Sequence, residues 1–119
     1  MTGILLDTDI VIQMLREGRY EPGGISTITL IEILRGIREE KQGEVKRLLE
    51  ESFDLYPIDN RVIETYCKLY NTLKERGEPI PDADLLIAAT ALANDLTLKT
   101  RNHHFERLKE LGLKISGRE

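Results

Sequence analysis

Acidic residues recur where short apolar segments of this sequence end or where helices should begin. Asp7 directly follows the apolar triplet ILL, and Asp9 comes two residues later. Glu32 lies inside an otherwise apolar segment, and Asp84 opens the nearly all-apolar run LLIAATALA. Asn102 follows the short segment TLKT. Four separate segments therefore present a carboxylate or an amide at positions that a folded sheet could bring together.

A cluster of such carboxylates has a definite chemistry. Two unit charges about 4 Å apart repel by roughly 4 kcal/mol at an effective dielectric constant of about 20. Clustered acids therefore raise one another's pKa or require a cation. Carboxylate oxygens without supporting Cys or His residues favour Mg²⁺ or Mn²⁺ over zinc, and such a cation can activate water against a phosphodiester. The candidate metal ligands are Asp7, Glu32 and Asp84.

Helix capping is the competing interpretation of several acids. An acid at the N-cap or in the first turn stabilises a helix by about 0.3–1 kcal/mol, and Asp9, Asp82 and Asp84 are all placed for that role. Asp82 and Asp84 lie two residues apart and do not share a helix face, so we assign only Asp84, which adjoins the apolar run, to the site. Capping does not account for Asp7, which we expect to end a strand. Asp9 either adds charge to the site or only caps its helix.

Glu32 is harder to explain as a structural residue. Its same-face neighbours, Thr29 and Gly36, form a narrow polar stripe with space beside the carboxylate. An ion pair with Arg35 is the simplest alternative. That alternative is weaker, because most of the surrounding helix surface is apolar and burying a lone carboxylate costs several kcal/mol.

These residues need a scaffold, and the pattern of the chain predicts one. Short apolar strands, predicted at residues 4–6, 25–26, 53–58, 97–100 and 113–115, alternate with helical segments. This alternation is typical of an α/β fold with a doubly wound, mostly parallel sheet and helices on both faces. In such sheets functional groups collect beyond the carboxyl ends of the strands, near the point where strand order reverses.

Finer expectations follow from the same pattern. Thr27 can cap the second helix, and Leu48 should face inward from the third. Cys67 lies in a helical apolar pattern and is expected to be a core thiol. His104 and Phe105 should anchor the last helix.

Length and composition narrow the class of protein. The 119 residues suit a single domain spanning residues 1–119, and 40% hydrophobic with 32% charged residues indicates a globular chain. A net charge of −4 argues against a nonspecific nucleic-acid coat, but not against a nuclease whose acids hold metal. The sequence offers no membrane span and no secretory signal, so we expect a cytoplasmic protein.

Four motifs span essentially the whole chain, in the order ILLDTDIVI, STITLIEILRGI, DADLLIAATAL and LKTRNHHFERL. Together they resemble the PIN-domain ribonucleases of the VapC-like toxin kind. The acids of the first three motifs correspond to Asp7, Glu32 and Asp84. Asn102 stands where the family often has a fourth acid, and an amide can hold a metal-bound water but cannot act as a carboxylate base.

The resemblance implies a PIN-like fold with about five short strands and a metal-dependent endoribonuclease, the toxin of a toxin–antitoxin pair. It places Asp7, Glu32, Asp84 and Asn102 in the catalytic site, with Thr100 orienting water or ligands. It also implies RNA as substrate, a VapB-like antitoxin partner that inserts a segment into the site, and a homodimer or a higher assembly with that antitoxin. An apolar face for the antitoxin is expected on the second helix. Candidate contacts to RNA phosphates are Arg35, Arg38 and Arg101.

Two other functions fit parts of the sequence. LLDTDIVI also resembles the opening motif of haloacid-dehalogenase-type phosphatases, in which Asp7 would be a nucleophile. That fold needs a Lys and a late acidic pair after a strand, whereas Asp82 and Asp84 follow a proline-rich loop. A PIN-like module that binds RNA or a partner without cutting is the third interpretation, and Asn102 and the acidic pI favour it.

Overall fold

The sheet is fully parallel and has five short strands, as the computed structural model shows for residues 3–117, the residues that the structure describes. The strands are β1 Ile4–Leu6, β2 Gly24–Ser26, β3 Asp54–Tyr56, β4 Thr97–Lys99 and β5 Lys114–Ser116. The helices are α1 Thr8–Glu17, α2 Thr27–Leu34, α3 Glu39–Ser52, α4 Asn60–Arg76 and α5 Asp82–Ala93, followed by a 3-10 helix at His103–Leu111. The predicted α/β fold is confirmed. Residues 1–2 and 118–119 of the predicted single domain lie outside the described residues.

Helices cover both faces of the sheet, and β1 is therefore buried on both sides. Leu5 and Leu6 are both fully buried, and successive strand residues point to opposite faces. Leu5 joins a core with Leu98 and residues of α4, α5 and the 3-10 helix. Leu6 joins a second core with Ile25 and residues of α1, α2 and α3. The two cores fix β1 in the middle of the molecule.

The strand order is β3-β2-β1-β4-β5, so the winding direction reverses between β1 and β4. Leu6 pairs with Lys99 in register, and the backbone N–H of Asp7 continues the ladder by donating to the Lys99 carbonyl at 3.0 Å. The next residues, Asp7 and Thr100, therefore leave neighbouring strands side by side. This is the switch point at which a doubly wound sheet opens a crevice.

The ends of α4 follow sequence signals, whereas both ends of α2 differ from the prediction. Asp59 accepts from Val62 N–H at the start of α4, and Gly77 ends that helix with a φ of +68°. Ser26, rather than Thr27, caps α2, because its Oγ accepts from the Ile28 N–H. The second helix also ends at Leu34. Gly36 therefore does not lie on the same helical face as Glu32.

Three expectations about burial are wrong. Cys67 is exposed and Leu48 is 38% exposed, because each lies on an outer helix face that no other element covers within residues 3–117. Phe105 is fully buried as predicted, but the His104 side chain is 51% exposed and turns toward Asp84. Periodicity located the helical segments without revealing how wide their buried faces are.

Within residues 3–117, no helix is both long enough and apolar enough to cross a membrane.

Candidate active site

The candidate acids line one cavity of about 240 Å³ at the switch point of the sheet. Its walls come from the start of α1, from α2, from the start of α5 and from the segment after β4. The lining residues are Asp7, Thr8, Asp9, Ile12, Glu32, Arg35, Asp84 and Asn102. The structure thus brings together residues that are up to 95 positions apart, from position 7 to position 102.

Asp7 is the most buried acid of the cavity, with 4% of its surface exposed. Its Oδ1 accepts a hydrogen bond from the Thr8 N–H at 2.8 Å, and its Oδ2 accepts one from Thr100 Oγ1 at 2.6 Å. Asp7 is also the N-cap residue of α1. Our expectation that capping has no part in Asp7 is therefore wrong: the same carboxylate ends a strand and caps a helix.

Burial raises the pKa of Asp7 above its usual range, because desolvation disfavours the charged form. The hydrogen bonds from Thr100 and Thr8 oppose this rise, whereas the negative charges of Asp9 and Asp84 add to it. The two hydrogen bonds therefore compensate only part of the free-energy cost of burying the charged form of Asp7.

Glu32 is held by a hydroxyl pair between α1 and α2. Thr8 Oγ1 lies 2.7 Å from Glu32 Oε1 and 2.9 Å from Thr29 Oγ1. An ionised carboxylate only accepts hydrogen bonds, so the Thr8 hydroxyl donates to Glu32 and accepts from the buried Thr29. The predicted pairing with Arg35 is only 3.9 Å long, and the arginine side chain is 72% exposed. Such an exposed pair contributes little, so Thr8 is the main partner of Glu32.

Asp84 faces the segment that follows β4. Asn102 Nδ2 and His104 Nδ1 each lie 3.5 Å from Asp84 Oδ2, at the long limit of hydrogen bonding. Asn102 is itself fixed, because its N–H donates to Thr100 Oγ1 at 2.9 Å and its Oδ1 accepts from the His104 N–H at 2.9 Å. The amide therefore caps the 3-10 helix and reaches the acid at once.

The neighbouring acid Asp82 is used differently. It is exposed, is not among the residues lining the cavity, and accepts a hydrogen bond from the Tyr66 hydroxyl at 2.7 Å. That hydrogen bond is the main reason why the pKa of Tyr66 rises to about 12. Of this pair of acids, only Asp84 lines the cavity.

A continuous path of hydrogen bonds connects the three candidate ligands. From one end to the other it passes through Glu32, Thr8, Asp7, Thr100, Asn102 and Asp84. Thr8 contributes twice, with its hydroxyl to one acid and its N–H to another. Sequence reasoning missed the role of Thr8; the only available signal was a hydroxyl residue directly after Asp7.

The donor set fits a hard, partly hydrated cation. Among residues 3–117, no three His, Cys, Asp or Glu side chains are arranged so that they could hold one metal ion together. The cavity nevertheless presents carboxylate and amide oxygens, and the like charges of Asp9 and Asp84 act on the buried Asp7. Mg²⁺ in proteins usually keeps several waters and uses one or two carboxylates plus substrate phosphates. This cavity supplies that kind of surrounding.

The three arginines predicted to contact RNA phosphates differ in how close they lie to the active-site cavity. Arg35 lines the cavity, and Arg101 lines the adjoining cavity along α1. Arg38 is not among the lining residues of either; its side chain is 75% exposed and lies 3.9 Å from Glu40. Arg35 and Arg101 are therefore the better-placed candidates.

Comparisons with known proteins agree with this fold. The family model of the PIN domain matches residues 4–111. The chain is 47% identical to ribonuclease VapC1 of Methanocaldococcus jannaschii over 116 residues, which cover 94% of this chain and 85% of that protein. Among solved structures it is similar to VapBC-1 from nontypeable Haemophilus influenzae, with a TM-score of 0.78, 28% identity, and coverage of 95% and 96% of the two chains. It is also similar to a toxin-antitoxin complex from Klebsiella pneumoniae, with a TM-score of 0.68, 27% identity, and coverage of 86% and 89%. The resemblance seen in the four sequence motifs is thus confirmed, and the haloacid-dehalogenase alternative is wrong. The chain belongs to the PIN-domain family.

Proposed function

We propose that this protein is a metal-dependent endoribonuclease, the toxin of a toxin–antitoxin pair, and that it hydrolyses RNA phosphodiesters in the cavity at the switch point. The observation that carries the proposal is the convergence of Asp7, Glu32 and Asp84 on one cavity, joined by one path of hydrogen bonds. The similarity to ribonuclease VapC1 supports the choice of substrate.

Asp7, Glu32 and Asp84 would hold Mg²⁺ or Mn²⁺, in part through water. When bound, such an ion supplies an activated water and stabilises the charge on the phosphodiester. The work of the protein is positioning. Thr100 favours the ionised form of Asp7, and Thr8 orients the carboxylate of Glu32.

Three further residues complete the proposed site. Asn102 would orient water beside Asp84, and Arg35 would meet a phosphate oxygen at the mouth of the cavity. Asp9 lies in the first turn of α1 and adds negative charge near Asp7. Arg35 suits the phosphate contact, because a guanidinium stays charged and can form two hydrogen bonds to phosphate.

A VapB-like antitoxin is the proposed protein partner. Ile31 is 50% exposed on α2, the helix that carries Glu32, and supplies apolar surface on that helix. One structural neighbour is described as a toxin-antitoxin complex, which supports this choice. Homodimer formation stays a prediction, to be measured by light scattering.

The test is cleavage of RNA with Mg²⁺ or Mn²⁺ by matched aspartate variants. Asp7→Asn and Asp84→Asn should abolish cleavage, while Asp82→Asn, two positions from Asp84 and outside the cavity, should retain it. Circular dichroism establishes that each variant folds. Parental cleavage by either of the first two variants, or equal loss in all three, would contradict the proposed site.

A non-catalytic PIN-like module is the second candidate. Asn102 in place of a fourth acid favours it, and so does the lack of a three-ligand group among residues 3–117. Calorimetric titration with Mn²⁺ separates the two, because a module that only binds RNA does not need to retain metal. Mn²⁺ binding that is lost in Asp84→Asn supports the nuclease.

A further inference from the structure

Two more cavities continue from the active site along α1. The first, of about 640 Å³, shares Asp9 and Ile12 with the active-site cavity. The second, of about 300 Å³, shares Gln13, Glu17 and Arg101 with the first. Because neighbouring cavities share lining residues, the three cavities lie next to one another along α1. We call the two cavities beyond the active site the α1 groove.

The outer face of α1 forms one wall of this groove. Asp9, Gln13 and Arg16 are four and three residues apart, so they lie on one side of the helix. At about 1.5 Å per residue, Arg16 lies roughly 10 Å along the helix from Asp9. The groove therefore leads away from the metal-site acids toward Arg16, which lies beside Glu17.

The α1 groove carries charges of both signs, because the acids Asp9, Glu17 and Glu21 line it together with three arginines. Arg16, Arg19 and Arg101 line it, and none of their guanidinium groups forms an ion pair with another residue between positions 3 and 117. Lys99, which also lines the groove, is paired with an acid, because its Nζ lies 2.6 Å from Glu21 Oε1. Unpaired guanidinium groups beside a phosphodiester-cleaving site are suited to phosphate oxygens.

An aromatic ring stands at the far end. Tyr20 lines the second cavity and is 41% exposed, and its ring meets the Phe53 ring edge-on at 6.2 Å. The contact with the buried Phe53 holds Tyr20 in place while a large part of the ring faces solvent. Nucleic-acid bases stack on such rings when they are unpaired.

We propose that the α1 groove binds the single-stranded RNA next to the cleaved bond, with Arg101 and Arg16 on its phosphates and Tyr20 stacked against a base. The inference rests on the proposed ribonuclease function and names where its substrate lies. Arg101 is well placed for the nearer phosphate, because it stands between Thr100 and Asn102, both of which are fixed at the active site.

The test is binding of a fluorescein-labelled, mixed-sequence single-stranded RNA of about 12 nucleotides, a length in the range of single-strand sites. Anisotropy is measured in EDTA at several salt concentrations, so that metal-dependent cleavage does not consume the probe. Arg16→Gln and Arg101→Gln should each reduce the slope of log K against log salt by about 0.7. Tyr20→Ala should weaken binding about five- to a hundredfold, and Tyr20→Phe should restore it.

The matched control is Arg47→Gln, an exposed arginine on α3 that lines none of the three cavities. It should leave the salt slope unchanged. If Arg16→Gln and Arg101→Gln behave like this control, the groove proposal is wrong even when the parent protein cleaves RNA. If they lower the slope but no aspartate variant affects cleavage, the groove stands and the proposed catalytic site fails. Equal binding of a duplex RNA, with equal losses in the variants, would overturn the single-strand assignment.

Discussion

Replacing Thr100 by valine tests how the fold holds the charge of Asp7. Thr100 is fully buried; its Oγ1 donates to Asp7 Oδ2 at 2.6 Å and accepts from the Asn102 N–H at 2.9 Å. Valine has nearly the same shape but no hydroxyl. The substitution therefore removes both hydrogen bonds while leaving the packing of the β4 end largely unchanged.

The expected loss has one part that depends on pH and one that does not. A hydrogen bond to a charged group contributes about 1.5–3 kcal/mol, and the Asp7 bond falls in this class. The lost acceptor for the Asn102 N–H, a neutral pair, costs about 0.5–1.5 kcal/mol at every pH. At neutral pH the free energy of unfolding should therefore fall by about 2–4.5 kcal/mol.

The sign of the pH dependence follows from the raised pKa of Asp7. As pH falls, native Asp7 is protonated before unfolded Asp7, whose pKa stays near the ordinary 3.8. The native state therefore gains stability as pH falls through the raised folded pKa, and the gain is complete below the unfolded one. Thr100→Val raises the folded pKa further, so the variant recovers more stability on acidification than the parent does.

The assay is urea unfolding in EDTA from neutral pH to about pH 4, near the ordinary pKa of an aspartate. Comparing parent with variant cancels the titration of the other acids. Thr100→Ser keeps the hydroxyl and should behave like the parent at each pH. A deficit in Thr100→Val that stays constant over the whole pH range would refute the reasoning, because the lost stability would then not involve the charge of Asp7.

Three other predictions follow from the same site. Mn²⁺ at a hundred times its Kd should stabilise the protein by about 2.7 kcal/mol, and Asp7→Asn should remove this gain in a thermal melt. Thr8→Val should lower kcat about ten- to a hundredfold with little change in KM, because Glu32 loses a hydrogen bond to its charge. Thr8→Ser should restore the rate, and a low rate in the serine variant would contradict a positioning role. Ile31→Asp should weaken antitoxin binding about five- to tenfold by removing apolar contact area, whereas Ile63→Asp, similarly exposed on α4 at 48%, should not; calorimetry with the purified antitoxin decides.

The position of the site was predictable because a parallel sheet places all its strand ends at one edge. Asp7 and Thr100 follow neighbouring strands whose register is fixed by the pairing of Leu6 with Lys99. The apolar run after Asp84 required a buried helix, and burial of that helix left its first turn at the same edge. Periodicity and strand order were sufficient for these conclusions.

The hydrogen bonds within the site were not predictable in the same way. The bond from Thr8 to Glu32 depends on how α1 and α2 pack, which no local pattern specifies. The same gap explains Cys67 and Leu48: a helical repeat indicates which residues share a face but not how much of that face another element covers. Sequence reasoning therefore found the acids but missed the hydroxyl groups that hold them.

Those hydroxyl groups help to hold the carboxylates close together, because their hydrogen bonds favour the ionised form of each acid that accepts them. Asp7 accepts one hydrogen bond on each oxygen, and an ionised carboxylate has about four lone-pair sites, so each oxygen keeps a free direction. Glu32 Oε1 is held by Thr8, while its Oε2 lies 3.9 Å from the exposed Arg35 and has no closer ion-pair partner among residues 3–117. The hydrogen bonds thus orient the acids, but they do not fully offset the desolvation of Asp7 and the smaller repulsion from Asp9 and Asp84, and the pKa of Asp7 stays raised. A fold that fixes three acids around one cavity and leaves their charge largely unpaired is suited to a divalent cation, which is why loss of Mn²⁺ stabilisation in Asp7→Asn is the most direct consequence of the proposal.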